Sequence, residues 1–293
     1  MNGKKVLNRL INLFIVINIV LLIINCVSKR NEYILSQERI SNIIELLKQS
    51  GIEVKAELIR DYSPKSAADL VFIGDSVAVR NHVVKKFFGN DFKDVKRSTA
   101  TSSKTQGRSV FYYTLGEETL AFDHDELIYE NEGIGMDETR PELETAKSMC
   151  NQLISRMDFG QQDLTYRITE EAYDTYWKLT YYPVIEEMPL LDSYMEFIVG
   201  SSGVITASMY LADVEVQNNS KQNIYAIDLV LFEIEDYMIE HGYTTIEEIT
   251  LCYKREKNEE NVLGQQIIPA YKIKMSGLDD AIFVNAYTNQ ILE

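Results

Sequence analysis

The 293-residue sequence is poor in the residues that staple small secreted scaffolds or build metal sites: three cysteines, three histidines, five prolines and one tryptophan. Three cysteines make no disulfide framework. One of them, Cys26, lies in an apolar run, while Cys150 and Cys252 sit in contexts typical of buried hydrophobes, so their pairing stays open. No HExxH pair, EF-hand loop or phosphate-cradling glycine loop occurs, so the sequence predicts no metal or cofactor. No low-complexity tract occurs either, which excludes a disordered stalk. Basic charge is scarce after residue 30. Residues 1–30 hold five of the 29 Lys and Arg and none of the 45 Asp and Glu, leaving 24 basic against 45 acidic residues, a formal −21, for the rest. So acidic a body argues against nucleic acid and anionic lipid surfaces as partners.

What the N-terminus does have is a long uncharged run. Lys4, Lys5 and Arg9 precede Leu10 to Val27, 18 residues without a charge, and Lys29 and Arg30 follow. At about 1.5 Å per residue this run would cover about 27 Å, close to the roughly 30 Å of a bilayer's hydrocarbon core. No Ala-x-Ala-like cleavage site follows it, and Asn25 occupies the position where a lipoprotein signal carries Gly, Ala or Ser. The expectation is a single-pass cell-membrane protein: a cytoplasmic tail over 1–9, a transmembrane helix over 10–28, and residues 29–293 extracytoplasmic. Within the run, Asn18 and Asn25 are seven residues apart with Leu22 between them, nearly one helix face. Amides in hydrocarbon seek partners, so Asn18, Leu22 and Asn25 form the candidate partner-binding face; the alternative is that Asn18 bonds its own backbone.

About 260 residues remain, enough for one large domain or two small ones. Ile40, Ile43, Ile44 and Leu47 predict a helix ending near Gly51; residues 76–88 read as a short helix with Val79, Val83, Val84 and Phe87 inward. Strands are expected at Ile52–Arg60, Asp69–Ile73, Arg108–Leu115, Glu118–Phe122 and Glu126–Tyr129. The stretch 131–137, with Gly133 and Gly135, is the predicted boundary between lobes at 29–135 and 136–293. Thr139-Arg140-Pro141-Glu142 then opens a helix that turns Leu143, Ala146, Cys150, Leu153, Ile154 and Met157 to one face. Further strands read at Leu164–Glu170, Tyr173–Tyr182, Ser193–Val199, Val204–Leu211, Glu248–Arg255, Ala270–Met275 and Ala281–Tyr287. A helix over about Gln222–Glu240, with Ile227, Val230, Leu231, Ile234 and Met238 inward, interrupts them. Helices followed by runs of strands indicate an α+β fold with antiparallel sheets.

Two strings tempt a catalytic or metal reading. Phe72-Ile73-Gly74-Asp75-Ser76 resembles the nucleophile block of SGNH/GDSL esterases, but no Asp-x-x-His supplies Ser76 with a base, and a turn or helix cap accounts for it. Asp123-His124-Asp125-Glu126 offers ligand atoms on adjacent residues, which alternate faces in a strand; a hairpin turn with solvated charge explains it. The aromatic stretch Tyr173–Tyr182 divides into Tyr173, Trp177 and Tyr181 on one face and Tyr176 and Tyr182 on the other. Core packing is its plainest meaning, with a protein-binding surface as the other.

The C-terminal half carries a resemblance. Tyr176-Trp177-Lys178-Leu179 through Tyr182-Pro183, Met188-Pro189-Leu190, Pro269-Ala270-Tyr271-Lys272-Ile273 and Val284-Asn285-Ala286-Tyr287-Thr288 resemble the YycH/YycI family, and YycI most. The closing segment also resembles PepSY-type units, with Asn289 in place of that family's glycine and Tyr271 where tryptophan is common. The resemblance implies a Gram-positive, non-enzymatic accessory protein of a two-component system controlling cell-wall metabolism. Its implied partners are the sensor histidine kinase and a YycH-like sister protein, contacted largely through membrane helices. The alternative is a PepSY-like inhibitor or ligand-binding module acting on secreted enzymes or wall polymers; an anchored esterase using Ser76 is a third.

Overall fold

The computed structural model describes residues 13–22, 32–72, 76–102, 104, 107–136, 139–157, 165–216, 221–256, 266–278 and 280–292. Helix α1 (13–22) is the described part of the N-terminal run, at about 15 Å half a bilayer core. Among the described residues no helix is long and apolar enough to cross a membrane, and the rest of the predicted 10–28 span lies outside them. Helix α2 (Gln37–Gln49) starts where the Ser36 side chain accepts from the Arg39 N–H, and it buries Ile40, Ile43 and Leu47 as the spacing predicts.

After β1 (Glu53–Val54) and β2 (Ala68–Phe72), α3 (Val77–Phe88) buries Val83, Val84 and Phe87. A meander follows: β3 (Lys96–Thr101), β4 (Ser109–Leu115), β5 (Glu118–Asp123) and β6 (Glu126–Asn131). Then come α4 (Leu143–Met157), β7 (Tyr166–Ala172), β8 (Trp177–Ile185), β9 (Met188–Pro189), β10 (Tyr194–Gly200), β11 (Gly203–Tyr210) and β12 (Ala212–Val216). Two short helices, α5 (Ile227–Glu233) and α6 (Glu235–His241), precede β13 (Thr245–Arg255), β14 (Gln266–Met275), β15 (Ile282–Asn285) and β16 (Ile291–Leu292). The fold is α+β, as expected.

The chain forms two compact units, each assembled from separated stretches. The first gathers Met1–Ser66, Asn219–Thr250 and Pro269–Glu293. In it β1 runs parallel to β13, β15 runs antiparallel to β14, and β16 closes on β15. Arg39 of α2 grips Asp228 of α5 through two bonds of 2.7 and 2.8 Å. The second unit gathers Ala67–Asn218 and Leu251–Ile268. Its main feature is a nine-stranded sheet in the order β3-β4-β5-β6-β11-β10-β8-β7, with β9 on β8. Leu120, Phe122, Leu127, Tyr129, Leu179, Tyr181, Met195 and Phe197 turn one face of that sheet into a core with Ala146, Cys150, Leu153 and Met157 of α4 and Phe87 of α3.

These units differ from the lobes at 29–135 and 136–293. The glycine stretch 131–137 falls inside the second unit, because β6 before it pairs with β11 after it, Tyr129 opposite Ala207. Gly133 and Gly135 mark a connection, not a boundary. The expected strand at Ile52–Arg60 shrinks to two residues, and the polar stretch Ser98–Gly107 conceals the end of β3, exposed along its whole length. The helix expected over 222–240 begins at Ile227 and breaks at Ile234, yet Ile227, Val230, Leu231, Ile234 and Met238 are all buried. Cys150 and Cys252 are buried, and no disulfide joins them.

Candidate functional site

Of the three predicted partner-binding residues, two lie in α1 and Asn25 lies outside the described residues. Leu22 is exposed, and the Asn18 side-chain amide donates to the Phe14 carbonyl at 2.8 Å, one turn back. The local alternative is therefore the observed one for this donor. Nine of the ten α1 residues are large and apolar, and all nine are between 47% and 69% exposed.

Ser76 is the N-cap of α3: its hydroxyl oxygen accepts the Val79 N–H at 3.3 Å. Gly74 and Asp75 of the same string lie outside the described residues.

The Asp123–Glu126 string does form a turn, with His124 at φ 59°. Its outer carboxylates are not solvated, however. Asp123 is 8% and Glu126 5% exposed, and the two stand directly opposite each other across the β5–β6 hairpin. Like charges so placed repel, so they need donors. Glu126 takes bonds from the Lys104 ammonium, the Ser208 hydroxyl and the Tyr210 phenol. Burial alone would raise its pKa; those three donors outweigh burial and hold the carboxyl below its ordinary range. Ser102 donates to one Asp123 oxygen at 2.9 Å, while the other oxygen, Oδ1, is buried without a hydrogen-bond partner among the described residues.

The register extends this pair into a row. Successive side chains of a strand alternate faces, and the core face takes Leu127, Met209, Met195 and Tyr181. Their neighbours therefore line the outer face. Asp123 faces Glu126, Glu126 faces Tyr210, Tyr210 faces Tyr194, Tyr194 lies against Tyr182, and Tyr182 faces Arg167. The ring centroids are 5.1 Å apart for Tyr194–Tyr210 and 6.1 Å for Tyr182–Tyr194. From Tyr182 to Asp123 the row crosses five strands, about 19 Å at the usual spacing. All three tyrosines are half-buried. Burial, with the nearby Glu126 carboxylate adding to it, pushes the Tyr210 phenol up to about 12; burial together with Tyr210 does the same for Tyr194. These rings stay neutral beside a buried acidic end.

Sequence reading placed Tyr182 on the face opposite Trp177 and Tyr181, which the structure bears out. It did not reach Tyr194, Tyr210, Lys104 or Ser208 as members of one site. Only the alternation of β10 and β11, each with a tyrosine out of phase with its core residues, could have signalled the row.

No family model matches the chain, and no curated protein matches it. Among solved structures the chain is similar to the Bacillus megaterium YpeB C-terminal domain, at 13% identity and a TM-score of 0.41, over 75% of this chain and 96% of that one.

Proposed function

We propose that this protein is a membrane-anchored, non-enzymatic regulator of a sensor histidine kinase controlling cell-wall metabolism, of the YycH/YycI type and nearest YycI. Its N-terminus is cytoplasmic and residues 29–293 are extracytoplasmic. The observation that carries the anchor is the exposure of all nine large apolar side chains of α1. Leaving each in water forfeits about 1.5–3 kcal/mol of burial, a cost that a bilayer removes. The basic flank and the acidic remainder support the orientation. Support for the kinase and the sister protein comes from the sequence resemblance alone.

In this reading the helix carries partner association. Asn18 spends one amide hydrogen on Phe14; its second N–H and its oxygen are the groups a neighbouring helix would engage. A cross-helix amide bond is worth about 0.6–2 kcal/mol, so Asn18→Leu with Asn25→Leu should weaken a marginal contact at least several-fold while preserving insertion. The measurement is co-purification with the kinase at matched membrane levels. An undiminished yield from the double variant would move the contact to the folded units.

A second reading, a PepSY-like inhibitor or ligand-binding module, is favoured by one observation: the tyrosine–carboxylate row on the outer sheet face.

A further inference from the structure

We infer that the row Tyr182–Tyr194–Tyr210–Glu126–Asp123 is a binding site for a lysine-type ammonium on a peptide segment, and that Lys104 of the chain itself fills its acidic end. The inference rests on the reading of the chain as a partner-binding module and not on which partner that is.

Among the described residues, the charges at the acidic end do not balance locally. Two carboxylates face each other across the hairpin, and Lys104 is the cation paired with Glu126. Asp123 receives the Ser102 hydroxyl on Oδ2, and its Oδ1 is buried with no hydrogen-bond partner among the described residues. A buried, half-satisfied carboxylate is costly unless a donor, and best a cation, reaches it. Lys104 shows what kind of group the place accepts. It is also the replaceable member, since its side chain is 56% exposed whereas that of Glu126 is 6% exposed.

The aromatic side of the row suits the same ligand. Tyr210 and Tyr194 stay neutral far above physiological pH, so their faces keep the negative quadrupole that attracts a cation. A lysine stem is apolar and its head charged, so it can lie along the rings with the ammonium at Glu126 and Asp123. A neutral glycan could use the rings and hydroxyl bonds, but it would leave the excess negative charge at the buried end uncompensated. A chain of formal net charge −16 adds a field in the same sense.

The test is calorimetric binding of an end-capped tetralysine peptide to the full chain in neutral detergent micelles at about 0.15 M salt. Its probe control is the same peptide acetylated on every side chain, which removes the charge and keeps the length. Lys104→Ala vacates the acidic end, so it should tighten tetralysine binding several-fold. Asp123→Asn should weaken binding. Tyr194→Leu keeps apolar bulk and removes the π-face, and should weaken binding by about 2- to 30-fold, the range of cation–π contributions. Glu240→Gln removes one exposed acid from the other unit and should leave binding unchanged, which separates the site from the overall field.

Three results would sink the inference. One is Lys104→Ala weakening binding, since Lys104 would then belong to the recognition surface. Another is equal binding of the acetylated peptide, or of an uncharged chitin tetrasaccharide in its place. The third is an equal loss in Glu240→Gln and Asp123→Asn. Peptide binding that fails while kinase co-purification persists would leave the regulator reading standing.

Discussion

Glu126 shows how much of this protein is decided between residues far apart in the chain. Its position in a hairpin turn is legible from Asp123-His124-Asp125-Glu126. Its burial is not, because the donors come from Lys104, Ser208 and Tyr210, up to 84 positions away. Their bonds lower its folded pKa, while an unfolded glutamate titrates near about 4.3. Because the folded value lies below the unfolded one, the stabilisation is complete above the unfolded pKa and is lost as pH falls through the folded one. Glu118 behaves in the same sense: burial raises its pKa, and the two Arg156 bonds of 2.8 Å more than reverse that. We expect Glu126→Gln to lower stability at pH 7 by about 1–3 kcal/mol, the worth of charged hydrogen bonds, with the difference shrinking at acid pH. Denaturant midpoints of both proteins at pH 7 and near pH 3 measure it. A gap of equal size at the two pH values would contradict the assignment.

At the scale of elements, hydrophobic spacing marked the helices well and their ends less well. The inward residues of α4 and of the α5–α6 pair are the expected ones. The break at Ile234 and the late start at Ile227 carry no glycine or proline to announce them. Strand β3 escaped notice because Lys96–Thr101 is polar and exposed throughout, so no alternation exists to read. The last turn was legible in chemical terms. Asn289 adopts φ 60°, the left-handed region that Asn tolerates. Asn285 organises the turn by accepting the Tyr287 and Thr288 N–H groups at 2.8 and 3.3 Å. Asn289→Ala should cost about 1–2 kcal/mol through the left-handed penalty, whereas Asn289→Gly should stay within a few tenths of wild type. Thermal melts of the two variants test this, and equal melting temperatures for Ala and Gly would remove the backbone argument.

For the whole molecule, the proposed anchored topology makes a direct prediction. Protease added to intact protoplasts should digest residues 31–293 and spare the N-terminal tail; protection of the large domain would refute the orientation. What the sequence determined by itself is what depends on near neighbours: an uncharged N-terminal run, acidic charge beyond it, an α+β element order, and the inward faces of most helices and strands. Such features follow from composition and from periods of 3.6 and 2, which a single stretch of chain displays. What the tertiary structure alone decided is which distant stretches join. Met1–Ser66, Asn219–Thr250 and Pro269–Glu293 form one unit, so no single cut in the sequence separates the two. The row from Tyr182 to Asp123 likewise draws on five strands, because strand register, not sequence distance, sets which side chains stand opposite one another.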